Sequence, residues 1–356
     1  MKQTAWCVVL ALSVAVIVAA GTGTNTLDIY FIDVEGGQST LLVTPAGQTL
    51  LIDAGFPGSG TFRSRPGDAG SARDAKRIVA AARDAGVTAI DFLLITHFHA
   101  DHAGGVVELM QLMPVRTLVD HGTVAPQAEQ NVPGTLDVFN AYAAVRAKAS
   151  HLEPKPGDRL PLKGIDAVVV SSGGSTIVKP FAGAGGRNSV CAESAPSPQE
   201  PHENPRSTGV RIQFGKFRFL DLGDLTGKPL FNLACPRDLI GPVDVYLVAH
   251  HGGADAADPS TLAAFKPRVA ILNNGATKGG APETFANLRR AQGPGSLEDV
   301  WQLHRSDTRG SENFADDRIA NLDERTAHWI KLSARDDGSF RVTNGRTGTQ
   351  ASYGLR

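Results

Sequence analysis

The most constraining feature of this chain is a group of metal-ligand residue types that directly follows a short apolar run. Residues 91–95 read Asp-Phe-Leu-Leu-Ile, a composition typical of a buried strand, and the next turn supplies His97, His99, Asp101 and His102. Imidazole nitrogens and carboxylate oxygens are the ligands that zinc, manganese and iron accept in proteins. So many ligands within one turn favour two adjacent metal ions over one. A polar loop with unrelated histidines is the weaker interpretation, since the chain has only 10 histidines in 356 residues.

The charge balance is flat, with 35 basic and 36 acidic side chains and a formal net charge of −1. No basic excess indicates tight binding of long nucleic acids. The expected partner is therefore a small molecule or another short substrate, not a long nucleic acid. No motif indicates an oligomeric state.

The N-terminus has the pattern of an exported protein. Lys2 precedes a nearly pure aliphatic stretch, residues 8–20, and the small residues 18–20 suit cleavage near Ala20. This pattern predicts a signal peptide over residues 1–20 and a secreted or periplasmic mature protein without a membrane segment. An uncleaved anchor is the alternative, but the stretch is short for a spanning helix.

Cleavage would leave two cysteines, Cys191 and Cys235. Two cysteines in an oxidising compartment are expected to pair, and the alternative is two buried thiols. The predicted disulfide would join a Gly-, Pro- and Ser-rich loop insertion, residues 173–207, to a segment beyond Asp224.

Apolar runs and turn signals predict hairpins first and then alternating strands and helices, twice over along the chain. This order predicts an α/β fold with two mixed sheets packed together and helices outside. We expect a single domain over residues 27–350.

Other strand ends offer further ligands. Asp224 follows an apolar run and a glycine, where a carboxylate can bridge two ions, although an ordinary turn aspartate fits the same pattern. Residues 246–253 place His250 and His251 after another apolar run. Since strand neighbours point oppositely, one histidine is expected to bind metal and the other to support it. We take His250 as the ligand and His251 as a supporting group or proton donor.

The remaining candidates are less constrained. His121 ends a predicted strand and is favoured over His202, in a Pro-flanked loop, as the histidine that completes a two-metal site. His304 ends another strand and is a candidate proton donor, with a structural role as the alternative. Asp53 is expected to orient a metal-binding histidine through its second ring nitrogen.

A polar segment follows the predicted strand at residues 268–272. Its candidate substrate-binding residues are Asn273, Asn274 and Lys278, and plain turn chemistry is the alternative.

The turn that carries His97, His99, Asp101 and His102, called the histidine loop below, resembles the signature of the metallo-β-lactamase superfamily. The order of Leu-Ile-Asp-Ala-Gly at residues 51–55, the loop, Gly223-Asp224 and His250-His251-Gly252 is similar to the branch near the extracellular domain of ComEC-type competence proteins. The resemblance spans about residues 27–343. It implies an αββα four-layer sandwich, a dinuclear and usually zinc site at one edge, and hydrolysis by a metal-bound hydroxide.

Two departures bear on the substrate. The competence branch usually carries Gly-Gln-Gly-Asp after its first strand, whereas residues 36–39 read Gly-Gly-Gln-Ser. The Gly-His-Thr-like third motif of true β-lactamases is absent from the sequence, which disfavours antibiotic hydrolysis.

The resulting prediction is a secreted hydrolase with two divalent ions, zinc before manganese or iron. His97, His99 and His121 are expected to hold one ion, and Asp101, His102 and His250 the other, with Asp224 between them. Asp101 would also orient the nucleophile, and His251 or His304 would protonate the leaving group. Phosphodiesters or phosphoesters are the favoured substrates. The alternatives are a carbonyl substrate (lactone, thioester or β-lactam) and a non-catalytic, metal-stabilised binding module.

Overall fold

The computed structural model describes residues 25–60, 67–194, 202–293 and 295–356. The predicted signal peptide at residues 1–20 lies outside these ranges, as do residues 195–201 of the predicted loop insertion. None of the helices in the described ranges combines the length and apolar character that crossing a bilayer requires.

The strands alternate with helices along the chain. The strands are β1 Leu27–Phe31, β2 Thr40–Val43, β3 Thr49–Ile52, β4 Ile90–Leu94, β5 Val115–Val119, β6 Ser150–Leu152, β7 Asp166–Ser172, β8 Ser175–Thr176, β9 Gly209–Phe214, β10 Phe217–Asp221, β11 Val245–Leu247, β12 Val269–Leu272, β13 Asp299–His304, β14 Ile319–Asn321, β15 Ile330–Ala334, β16 Phe340–Asn344 and β17 Gln350–Tyr353. The helices are α1 Arg73–Asp84, α2 Ala100–Ala103, α3 Val106–Leu112, α4 Ala128–Asn131, α5 Thr135–Arg146, α6 Gly227–Ala234, α7 Pro259–Phe265 and α8 Pro282–Ala291.

These strands form two mixed sheets. The first has the order β17-β16-β15-β1-β2-β3-β4-β5-β6, and the second β14-β13-β12-β11-β10-β9-β7-β8. In each sheet, antiparallel hairpins lie beside a parallel block: β3 to β6 in the first sheet and β10 to β14 in the second. The carboxyl ends of the parallel strands in each block therefore meet at one edge of that sheet.

One core lies between the sheets. Leu27, Ile29 and Phe31 of β1 pack in it with Phe219 and Trp301 of the second sheet. The rings of Phe31 and Phe219 meet edge to face, with centroids 5.8 Å apart. Burial of apolar surface is the main stabilising contribution to such a core.

Two further cores lie on the outer faces of the sheets. Helices α1, α3 and α5 cover the first sheet, and α6, α7 and α8 cover the second. The predicted four-layer sandwich with outside helices is therefore confirmed. The apolar end of β4 follows from this arrangement, because Leu94 faces the central core and Leu93 the helices, and a segment buried on both faces has no polar side.

The predicted disulfide is present. Cys191 and Cys235, 44 positions apart in sequence, are bonded with an S–S distance of 2.02 Å. The bond ties the loop insertion to the residue that directly follows α6.

Candidate metal centre

The histidine loop crosses from β4 to α2 and is fixed to two neighbouring segments by its backbone. The carbonyl of Asp101 accepts a hydrogen bond from the amide of Gln38 at 3.0 Å, and the carbonyl of His102 accepts one from Ala54 at 2.8 Å. These contacts hold the loop at the edge of the first sheet. The strands β10 and β11 of the second sheet end at the same side of the sandwich.

Four side chains converge there: Asp101, His102, Asp224 and His251. Nε2 of His102 lies 3.3 Å from Asp101 Oδ2 and 3.2 Å from Asp224 Oδ2. Nε2 of His251 lies 3.1 Å from Asp101 Oδ2 and 3.2 Å from Asp224 Oδ1. All four are buried. The structure thus brings together two carboxylates and two imidazoles from both halves of the chain.

His97 and His99 form a second group beside this cluster. Nε2 of His97 lies 2.9 Å from Nδ1 of His99 and 3.9 Å from Asp224 Oδ2. Burial lowers the pKa of His97 well below its usual value and that of His99 to about 4. Both rings are therefore neutral near pH 7, the form in which imidazole binds metals. Asp224 contacts both groups, and its role as a carboxylate between two ions stays a prediction.

The electrostatics of the cluster favour a cation. Burial alone would raise the pKa of both carboxylates, but Lys278 and His102 hold the pKa of Asp101, and His102 and His251 that of Asp224, well below the usual range. The carboxylates in turn raise the pKa of His102 far above its ordinary value, although burial opposes this. Asp224 Oδ1 accepts no hydrogen bond from a described residue. The buried carboxylates of this cluster and the neutral imidazoles of His97 and His99 are a donor set that fits divalent metal ions, and a bound cation would take the place of the proton on His102.

The two adjacent histidines exchange their expected roles. His251 lies in the four-residue cluster, whereas His250 Nε2 lies 3.2 Å from the side-chain amide of Asn204 and its Nδ1 lies 3.2 Å from Asp255. The alternation argument fails because β11 already ends at Leu247. His250 and His251 both have left-handed backbone conformations, with φ of 51° and 54°, so the strand period does not apply to them.

The observed contacts of His121 also differ from those expected of a metal ligand. Its Nε2 lies 3.0 Å from Oε2 of Glu203, and its ring packs against Phe98. The ring of His202, the alternative from the sequence, stacks on His99 with centroids 6.1 Å apart. The contact with the buried carboxylate of Glu203 occupies Nε2 of His121, and its Nδ1 is buried without a hydrogen-bond partner among the described residues.

Glu203 is a functional candidate that the sequence analysis did not identify. Its fully buried carboxylate accepts hydrogen bonds from the amides of Phe98 at 3.0 Å and Ala125 at 2.5 Å, in addition to its contact with His121. It therefore fixes the histidine loop against the loop after β5. Its position in a Pro-rich segment carried no pattern that could have identified it.

His304 does not contact the four-residue cluster. Its buried Nε2 lies 3.0 Å from both Asp33 Oδ1 and Glu35 Oε2. Burial would lower its pKa, but these two carboxylates raise the pKa to about 9. These contacts differ from those expected of a histidine that donates a proton to substrate.

The three predicted substrate-binding residues have different surroundings in the structure. Asn273 donates to the side chain of Gln38 and Asn274 to the carbonyl of His304, and both are buried. Their side-chain amides hydrogen-bond inside the protein and do not line the edge of a substrate site. Lys278 is 30% exposed, donates to the carbonyl of Gly36, and forms an ion pair with Asp101. It also lines a cavity of about 330 Å³ together with His250, His251 and Thr308.

One protein family and several solved structures are similar to this chain. The family model described as "Metallo-beta-lactamase superfamily" matches residues 33–272. The metallo-beta-lactamase fold protein YhfI from Bacillus subtilis is 10% identical with a TM-score of 0.44, over 78% of this chain and 96% of that chain. A Cronobacter sakazakii metallo-beta-lactamase with a HARLDQ motif is 17% identical with a TM-score of 0.33, over 60% and 71%.

A third similar structure is MEM-A1, a subclass B3 metallo-beta-lactamase from a soil metagenome library. It is 13% identical with a TM-score of 0.37, over 62% of this chain and 75% of that chain. No curated protein matches. Because the family model covers well over half of the sequence, the chain belongs to the metallo-β-lactamase superfamily.

Proposed function

We propose that the protein is a secreted, dinuclear metal-dependent hydrolase of phosphodiester or phosphoester substrates. The observation that carries this proposal is the position of Asp224, whose carboxylate contacts His102 and His251 on one side and faces His97 on the other. A carboxylate between two groups of imidazoles is the arrangement that a two-metal hydrolase requires.

The two groups assign ligands to two ions. Asp101, His102, Asp224 and His251 would hold one ion. His97 and His99 would hold the other, with Asp224 shared and His202 beside them. Two divalent ions there, zinc before manganese or iron, would lower the pKa of a water molecule and polarise the ester that is hydrolysed.

The protein side chains supply binding and orientation. The exposed fraction of Lys278 faces the cavity beside His251, where an ammonium group can offset the negative charge of a phosphoester. A lactone lacks that charge, so the lysine supports the phosphoester over a neutral carbonyl substrate. Asp53 contacts Nδ1 of His102 at 2.7 Å and keeps Nε2 directed at the cluster. The order of motifs, which resembles the ComEC-type branch, agrees with a phosphodiester.

The disulfide supports the proposed export. A bond between Cys191 and Cys235 is stable in an oxidising compartment and rare in the reducing cytosol. Secretion or a periplasmic location is therefore part of the proposal.

The test is metal content and turnover of the purified protein. One panel would contain bis-p-nitrophenyl phosphate, a single-stranded oligonucleotide, a lactone and a chromogenic cephalosporin. We expect phosphoester cleavage with two bound metals, and loss of both in Asp224→Ala. The control is Asp166→Ala, which removes an exposed carboxylate paired with Arg159 and should change neither property.

Other outcomes would redirect the proposal. Hydrolysis of the lactone or cephalosporin alone would assign a carbonyl substrate. Full metal loading without turnover across the panel would favour a binding module. An Asp224→Ala variant with two metals and full activity would refute the ligand assignment.

A further inference from the structure

A second cluster of metal-ligand types lies apart from the proposed dinuclear centre. Asp33 and Glu35 follow β1, and His304 is the last residue of β13, so the cluster joins the first sheet to the second. Asp33 Oδ1, Glu35 Oε2 and His304 Nε2 lie within one small space and are inaccessible or nearly so to solvent.

Each carboxylate divides its two oxygens between different partners. Arg77 contacts Asp33 Oδ2 at 3.0 Å and Glu35 Oε1 at 2.8 Å. The other oxygen of each carboxylate faces Nε2 of His304, and Asp33 Oδ1 also accepts a hydrogen bond from the amide of Glu35 at 3.0 Å. Arg77 therefore fixes both carboxylates from outside while three donor atoms converge on the inner side.

These inner contacts are short but are not aligned as hydrogen bonds. Nε2 of His304 lies 3.0 Å from each oxygen, yet neither it nor Glu35 Oε2 makes a hydrogen bond to a described residue. The single N–H of an imidazole points along the ring axis and cannot be directed at two oxygens that lie on either side of it.

Metal coordination accounts for the same geometry. Two ligand atoms that are each about 2.1 Å from an octahedral ion, at right angles, are about 3.0 Å apart. That separation matches both imidazole–carboxylate distances. Nδ1 of His304 is likewise buried without a hydrogen-bond partner among the described residues, so no second contact fixes the ring as a donor at Nε2.

We propose that Asp33, Glu35 and His304 bind a third divalent metal ion, of a type that prefers octahedral coordination, such as Mn²⁺. Two carboxylates and one imidazole would leave the remaining positions to water, as such ions accept. With His304 neutral, the form that binds a metal, the charges of the two carboxylates and Arg77 sum to −1, which favours a dication.

The backbone of Glu35 agrees with a site that is built for binding. Its φ of 55° is left-handed, a conformation that costs free energy for a residue other than glycine. This turn directs its carboxylate back towards Asp33 and His304. Strain of this kind persists where the surrounding structure needs the position of the side chain.

The ion would connect to the proposed hydrolytic site through the next residue. The carbonyl of Gly36 accepts a hydrogen bond from Nζ of Lys278 at 2.7 Å, and Lys278 pairs with Asp101. Fixing the loop of Asp33 and Glu35 to the end of β13 would therefore fix Lys278 as well. The inference does not depend on the proposed substrate or on turnover.

The test is manganese binding to the full-length protein with MnCl₂ alone as the probe. Crystals of the wild-type protein soaked in MnCl₂ should give an anomalous peak between Asp33, Glu35 and His304 at the manganese absorption edge. In solution, His304→Gln and Glu35→Gln should each bind about one manganese ion fewer than wild type. The matched control is His328→Gln, which alters a histidine outside every candidate metal group and should leave the number of bound ions unchanged.

Two results would overturn the proposal. The first is the absence of the anomalous peak at saturating Mn²⁺ in wild-type crystals, which would show that the three residues form an ion cluster with a protonated His304. The second is unchanged manganese stoichiometry in folded His304→Gln. The crystal measurement uses only wild-type protein, so it tests the proposed site even if the variants fail to fold.

Discussion

Asp53 lies 2.7 Å from Nδ1 of His102, on the side of the imidazole opposite Asp101 and Asp224. The Asp53 carboxylate is completely buried and also accepts hydrogen bonds from the amide and hydroxyl of Thr96. An Nδ1–H that points at Asp53 leaves the Nε2 lone pair of His102 directed at the cluster. Such outer carboxylates orient metal-binding histidines and raise their basicity.

Replacing this carboxylate should weaken metal binding. In Asp53→Asn the amide competes as a donor towards Nδ1, so we expect metal affinity to fall about 10- to 100-fold. Asparagine tolerates the left-handed backbone at this position, where φ is 62°, so the fold should be kept. Competition with a chromophoric chelator measures the change. Asp91→Asn, at the start of β4, serves as the control, and equal affinities of wild type and Asp53→Asn would contradict the role.

A buried carboxylate beneath the site should make stability depend on pH. Asp221 accepts hydrogen bonds at Oδ1 from Gln38 and Gly223, whereas Oδ2 has no hydrogen-bond partner among the described residues. Burial raises the pKa of Asp221 to about 7. Because the folded pKa exceeds the unfolded value, the stabilising contribution is complete below about pH 4 and is lost as the pH rises through 7.

Asp221→Asn should therefore flatten this dependence in metal-depleted protein. The amide resembles the protonated acid and keeps both acceptor contacts at Oδ1. Near pH 4 the two proteins should be equally stable, and near pH 8 the variant should be more stable, by up to about 4 kcal/mol. Urea denaturation at a series of pH values measures this. A parallel pH profile for both proteins would show that Asp221 is ionised throughout.

The sequence predicted the fold, and it singled out most residues of the candidate site, for a local reason. Four ligand types in one turn after an apolar run are visible without knowing any contact. Asp224 could be found because it also follows a strand directly. The apolar character of residues 92–95 similarly predicted a buried strand.

The remaining site residues depend on geometry that periodicity does not carry. Choosing His251 over His250 requires knowing that two successive residues adopt positive φ after β11 has ended. Glu203 contacts Phe98 across 105 sequence positions, and His304 meets Asp33 from the other sheet. No local pattern marks such long-range pairs.

Glu203 should be essential for the position of the histidine loop. In Glu203→Gln one oxygen becomes a donor that faces the amide of Phe98 or Ala125, which leaves a buried donor unpaired and should cost about 1 to 3 kcal/mol. Because the loop carries His97 and His99, metal affinity should fall as well. Thermal denaturation and metal titration measure the two effects. Glu298→Gln, on a partly exposed ion pair with Arg268, is the control. Destabilisation with unchanged metal affinity would limit Glu203 to a structural role.

Lys278 should determine affinity for an anionic substrate. In Lys278→Gln the loss of one cation beside the cavity should raise KM for a phosphodiester by up to about fivefold and weaken its dependence on salt. The matched control is Lys216→Gln, an exposed lysine in the turn between β9 and β10. Steady-state kinetics at two ionic strengths measure the effect. An unchanged KM with a reduced kcat would instead show that Lys278 acts on turnover through its ion pair with Asp101.

The disulfide should stabilise the whole sandwich and not only its loop. It closes a chain segment of 44 positions, for which the entropy of loop closure predicts about 4 kcal/mol of stabilisation. The double variant Cys191→Ser/Cys235→Ser should therefore unfold at a lower urea concentration than wild type. Wild-type protein in reductant should behave like the variant, whereas the variant itself should not respond to reductant. Because the closed segment also carries Glu203 and Asp224, metal affinity should fall in parallel. Equal urea midpoints for wild type and variant would show that packing of α6 and β9 alone holds the segment in place.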